Sequence, residues 1–223
     1  MARYEGEHEV CSDDANKKKI VFAGINHNDP LGRTKILALL NQLRLNDNFI
    51  PNCIAVEWDE KIAEFIISQR PKFIKLAKEE DFGFTEETLT ILADTIAFEA
   101  DSHYAIYPDL PIIWLDKYDK FPSSVESHIK DRLYMYTSCF QKLNKNEKNS
   151  IELLSRMVWG RRHLWDVDER DEKFFTILVN ETKDEYSNIF IIVGADHTVE
   201  DSEERFISRL KKENDNIQVY VLN

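Results

Sequence analysis

The chain gathers its apolar residues into short unbroken runs, Ile20 to Ala23, Cys53 to Val56, Ile112 to Leu115 and Ile189 to Val193, and a last strand, Ile217 to Leu222, is broken only by Gln218. A strand with one face in water alternates apolar and polar residues, whereas a strand covered on both faces is apolar throughout. The intervening segments carry a helical period. Ile36, Leu39, Leu40 and Leu43 repeat at i, i+3, i+4 and i+7, the stripe of an amphipathic helix. Alternation of this kind predicts an α/β fold: a central, mostly parallel sheet covered by helices.

Further helices follow from the same reasoning. One begins near Ile62 and is kinked or ended by Pro71. Thr85, with Glu86 and Glu87 behind it, opens another that carries Leu89, Leu92, Ala93 and Ile96. Stretches from Val125 to Leu133 and from Ile151 to Val158 also read as helical, as does a longer one with Glu169, Arg170, Asp171, Phe174, Ile177 and Leu178. Thr198 is expected to cap a last helix bearing Phe206, Ile207 and Leu210. Residues 1–18 read as a loose polar tail and 19–223 as one domain, its helical stretch at about 120–185 forming a cap over the sheet.

The 223 residues carry 29 Lys and Arg against 41 Asp and Glu, a formal net charge of −12. Such a chain repels a phosphate backbone, so nucleic acid is not an expected partner. No apolar run approaches the roughly 18 residues of a membrane span, and no apolar segment follows Met1-Ala2-Arg3-Tyr4 as a signal peptide would require. Cys11, Cys53 and Cys139 are unclustered and odd in number. They read as reduced thiols, which suits a cytoplasmic protein.

In open α/β sheets, ligands bind beyond the carboxyl ends of the strands. The first apolar run ends in Gly24-Ile25-Asn26-His27, the second in Glu57, the third in Asp116, and the fourth in Gly194-Ala195-Asp196-His197. Two histidines therefore stand three residues after a glycine, each past a strand. If these strands are neighbours, His27, Glu57 and His197 face one cleft. Two histidines and a carboxylate are a common three-ligand shell for a catalytic metal, with a position left for water. Such a metal makes hydroxide available near neutral pH. Each histidine alone is equally compatible with a hydrogen bond to a loop carbonyl. Arg170, between Glu169 and Asp171, reads from its neighbours alone as a surface ion pair worth under about 1 kcal/mol, and otherwise as a cation that orients Glu57 or binds a substrate carboxylate or oxyanion. Glu99 and His103, four apart on one helix face, form a lesser candidate pair.

Four of these segments, Gly24-Ile25-Asn26-His27, Val56-Glu57-Trp58-Asp59, Glu169-Arg170-Asp171 and Gly194-Ala195-Asp196-His197, occur in an order that resembles the TraB/Tiki family. That family is grouped with erythromycin esterases and ChaN-like haem-binding proteins. The segment ending in Asp116 resembles the family's apolar-Asp-Arg segment. Trp58 departs from the aliphatic residue usual after the Glu, and Gly32 stands near where the family often has a small hydroxyl residue. The resemblance implies an α/β fold and a cleft built from His27, Glu57, Arg170 and His197. It further implies a hydrolase acting on a peptide or ester. His27, Glu57 and His197 would hold manganese, cobalt or zinc, or else His and Glu would activate water without a metal. Through the haem-binding members it equally implies a non-catalytic protein that binds haem, a peptide or a small molecule.

Overall fold

The structure, a computed structural model, describes residues 18–26, 29, 31–68, 70–79, 109–117 and 167–222, together with isolated positions at 85–87, 89, 90, 93, 138, 139 and 142. His27, Glu99, His103, the N-terminal tail and the expected helices at 125–133 and 151–158 lie outside the described residues. The strands are β1 (Lys19–Ile25), β2 (Cys53–Val56), β3 (Ile112–Trp114), β4 (Asn188–Gly194) and β5 (Ile217–Leu222). They form one five-stranded sheet in the order β3-β2-β4-β1-β5, and every pairing is parallel. The helices are α1 (Gly32–Asp47), α2 (Glu60–Ser68), α3 (Arg70–Glu79), α4 (Val167–Glu181) and α5 (Phe206–Glu213), with a 3₁₀ turn at Ala195–Thr198.

The unbroken apolar runs have the expected cause, because the inner strands are covered on both faces. Ile20, Phe22, Cys53, Ala55, Ile189 and Ile191 point to one side and pack with Phe174 and Leu178 of α4 and with Phe206, Ile207 and Leu210 of α5. Val21, Ala23, Ile54, Val56, Phe190 and Ile192 point to the other and meet Ile36, Leu39, Leu40 and Leu43 of α1. Burying a side chain of this size contributes about 1.5–3 kcal/mol. Asn48, at φ 49°, ends α1 in the left-handed conformation, which Asn tolerates better than most residues.

Strand order determines where the helices go. From β1 the chain crosses over β4 to reach β2, and from β4 it crosses over β1 in the opposite direction to reach β5. Right-handed crossovers running opposite ways lay their helices on opposite faces, and α1 and α5 do lie on opposite faces. The carboxyl ends of neighbouring β1 and β4 are therefore parted at a topological switch point, where open sheets of this class form their binding crevice. The turn holding His197 follows β4.

Two local expectations are corrected. Thr198 does not cap α5: it closes the 3₁₀ turn, its hydroxyl donating to the Ala195 carbonyl at 2.6 Å, and α5 starts only at Phe206. Pro71 lies in the first turn of α3, where a proline costs no helical hydrogen bond, and α2 has already stopped at Ser68. Within the expected cap, α4 is a sheet-packing helix, with Phe174 and Leu178 in the core.

Gly24 is required by the close approach of the 3₁₀ turn to β1. A Cβ there would lie 2.6 Å from Thr198 Cγ2 and 2.9 Å from its Oγ1. Gly24→Ala is expected to cost about 1–3 kcal/mol, read as a lowered unfolding midpoint. Thr198→Ala in the same chain should recover part of the loss. A Gly24→Ala protein as stable as the parent would show that the turn does not pack so closely.

Candidate functional site

Glu57 follows β2, and its amide N–H extends the sheet ladder to the Ile192 carbonyl at 3.2 Å. The backbone thus drives its carboxylate into the end of the sheet, where it is 2% exposed. A buried carboxylate is costly unless it is paired and hydrogen-bonded. The Gly194 N–H donates to Glu57 Oε2 at 2.5 Å. Arg170 Nη1 lies 2.7 Å from Oε1, and His197 Nε2 lies 3.5 Å from the same oxygen.

Arg170 comes from the first turn of α4. Its second arm, Nη2, donates to Asp116 Oδ2 at 2.7 Å, and Asp116, past β3, is also 2% exposed. One planar guanidinium therefore joins the carboxylates at the ends of two adjacent strands, a task that a lysine ammonium cannot reproduce. Lys173, one turn along α4, meets Asp116 Oδ1 at 3.1 Å and donates to the Lys117 carbonyl at 3.0 Å. The guanidinium carbon sits 5.0 Å from the centre of the Phe174 ring. Arg170 thus bridges two buried carboxylates at the strand ends and is no mere surface ion pair with its helix neighbours.

His197 is almost fully buried at the 3₁₀ turn. Its ring lies 4.8 Å from that of Phe174, and its Nδ1 lies 2.5 Å from Asp171 Oδ1. Burial is the largest influence on its titration and favours the neutral ring. The Glu57 charge and the hydrogen bonds to Asp171 and Glu57 outweigh it, and the pKa is pushed up from 6.5 to about 9. At neutral pH the ring is therefore an imidazolium between two carboxylates.

Asp171 is fully buried, and its charge type gave no warning of that. It shares the α4 stripe with Phe174 and Leu178 at i, i+3 and i+7, and that position was the available signal. Its second oxygen accepts the Phe206 N–H at 3.2 Å and meets Arg205 Nη1 at 3.3 Å. Arg205, 6% exposed, also donates to the carbonyls of Val199 and Asp196 and pairs with Asp201. Nothing in local spacing links residues 171 and 205.

The structure thus brings together Glu57, Arg170 and His197, with His27 outside the described residues. Ligands of one divalent ion, each about 2.1 Å from it, lie roughly 3–3.5 Å apart, and Glu57 Oε1 and His197 Nε2 have that separation. The surroundings suit a metal poorly. A guanidinium already holds Oε1 at 2.7 Å, and the imidazole would have to shed a strongly held proton. Asp29 is not free to help, since its carboxylate accepts the Leu31 N–H at 2.9 Å and pairs with Lys35. Away from the crevice, Cys53 and Cys139 are free and buried, and burial pushes the Cys53 thiol up to about 12, which leaves it unreactive at neutral pH. No helix among the described residues is long and apolar enough to cross a membrane.

Compared with protein-family models, with curated proteins and with solved structures, the chain matches none.

The imidazolium gives a pH signature. A proton held with a pKa of about 9 in the fold, against 6.5 ordinarily, contributes stability that is complete below about pH 6.5 and is lost as pH rises through about 9. The unfolding midpoint should fall between about pH 6.5 and about pH 9, and His197→Gln should flatten that part of the profile. A parent protein with no loss of stability over this window would show that the ring is not held as a cation.

Proposed function

We propose that the crevice at the ends of β1, β4 and β2 is a hydrolytic site for a peptide or an ester. Glu57 takes a proton from water and His197 gives one to the leaving group. The observation that carries this reading is the 3.5 Å separation of Glu57 Oε1 and His197 Nε2 at the switch point. A carboxylate and an imidazolium this close can work as base and acid on one substrate. As a water proton passes to Glu57, the water oxygen bonds to the substrate carbonyl carbon. The bond to the leaving group breaks as that group takes the Nε2 proton, and the product is a free carboxylic acid. Return of the proton from Glu57 to His197 restores both groups.

Arg170 keeps Glu57 oriented, and the Gly194 N–H fixes the other oxygen. The resemblance to the TraB/Tiki family and the erythromycin esterases supports the same assignment, since esterases of that group look like metal-independent hydrolases that use His and Glu. The metal-dependent version drawn from the Tiki proteins would need Arg170 to leave Glu57 Oε1.

The test is turnover of p-nitrophenyl esters and fluorogenic peptides by purified protein. Hydrolysis should survive chelation, and Glu57→Gln should lower kcat roughly a hundredfold or more while the fold is kept. Activity removed by a chelator and restored by manganese, cobalt or zinc would instead make Glu57 and His197 metal ligands. Absence of turnover across the panel, with retained binding of haem, a peptide or a small molecule, would contradict the hydrolytic reading and favour a binding protein of the same fold.

A further inference from the structure

The geometry points to Asp171 as a positioning residue that holds the His197 ring with Nε2 aimed at Glu57 and ties that aim to the start of α5. This inference rests on the hydrolytic reading for its kinetic consequence, but not for its geometric one.

An imidazole on a turn after a strand can rotate about two side-chain bonds, and each orientation offers a different nitrogen to the crevice. Two contacts remove that freedom. The Phe174 ring lies against one face at 4.8 Å, which restrains the ring plane but does not distinguish the two nitrogens. Asp171 Oδ1, at 2.5 Å from Nδ1, does distinguish them. A carboxylate accepts hydrogen bonds and donates none, so Nδ1 must carry hydrogen and Nε2 is left for Glu57. A flipped ring would lose the Asp171 bond inside a fully buried pocket, where an unmet carboxylate oxygen is costly.

The carboxylate is itself immobilised. Its other oxygen takes the Phe206 N–H, the first amide of α5, and the Arg205 guanidinium. Asp171 thereby supplies from α4 the acceptor that α5 lacks, because the residue before α5 is Arg205 and makes no side-chain cap. Arg205 in turn holds the carbonyls of Asp196 and Val199, on either side of His197. Two helices and the histidine turn therefore converge on one carboxylate. Groups that orient a reacting histidine in this way act through it without touching substrate.

The experiment uses the full chain with labelled histidine. In the parent protein, the His197 Nδ1 proton should resonate downfield of the backbone amides and show a contact with the Phe174 ring. Absence of that proton in the folded parent would overturn the proposal without any variant. Asp171→Asn keeps the side chain's size and an acceptor for Phe206 but not the charge. It should remove the downfield proton and lower kcat roughly tenfold or more, with KM within about twofold on the same ester probe. If the proton persists, or if KM rises while kcat stays unchanged, Asp171 does not position the ring. A parent without turnover, yet with the downfield proton and its loss in Asp171→Asn, would uphold the positioning while refuting the hydrolytic reading.

Discussion

A carboxylate buried at the end of a parallel sheet is the constraint on which this structure turns. Glu57 is carried inward because its own amide continues the ladder of β2, and its neighbours are arranged to meet the resulting charge. Arg170 neutralises it, the Gly194 amide hydrogen-bonds it, and His197 stands beside it as a second cation. Asp116 and Asp171, equally buried, then anchor those two cations from the opposite side. Removing one member would leave its partners' charges less fully compensated in a poorly hydrated site, which is more costly than losing a surface pair.

The topology places this cluster at the carboxyl ends of the strands, beside the switch point where open sheets of this class bind ligands. Connections from β1 and β4 leave in opposite directions and carry α1 and α5 to opposite faces of the sheet. Arg170 is about one-fifth exposed while its two carboxylate partners are almost wholly buried. Arg170 thus stands between its two buried acids and solvent. The same pairing accounts for the poor fit to a divalent metal, since positive charge already stands at the oxygen a metal would take.

Much of this was legible in the sequence because it rests on short-range patterns. Unbroken runs such as Ile189 to Val193 imply a sheet buried on both faces, and the residues ending each run could be named at once. The convergence of Glu57 with His197 follows from β2 and β4 being neighbours, and strand order is not written in local periodicity. Asp171 was hidden for a different reason. A charged residue beside Glu169 and Arg170 reads as solvated helix surface, and only its place on the stripe with Phe174 and Leu178 hints at burial. Thr198 had the side chain of a helix cap, yet the close approach over Gly24 placed it in a 3₁₀ turn, and the α5 amide found its acceptor on α4 instead. Arg205, which reaches back to residues 171, 196 and 199, depends on tertiary packing alone.

The central claim is that Glu57 and Arg170 are energetically one unit. A double-mutant cycle on folding stability, with Glu57→Gln, Arg170→Met and the double variant unfolded in urea at neutral pH, measures that directly. A coupling of about 2 kcal/mol or more is expected, because either single change removes the same buried ion pair and leaves the other charge with fewer partners beside the sheet. Additivity within about 0.5 kcal/mol, the behaviour of distant independent sites, would contradict the account.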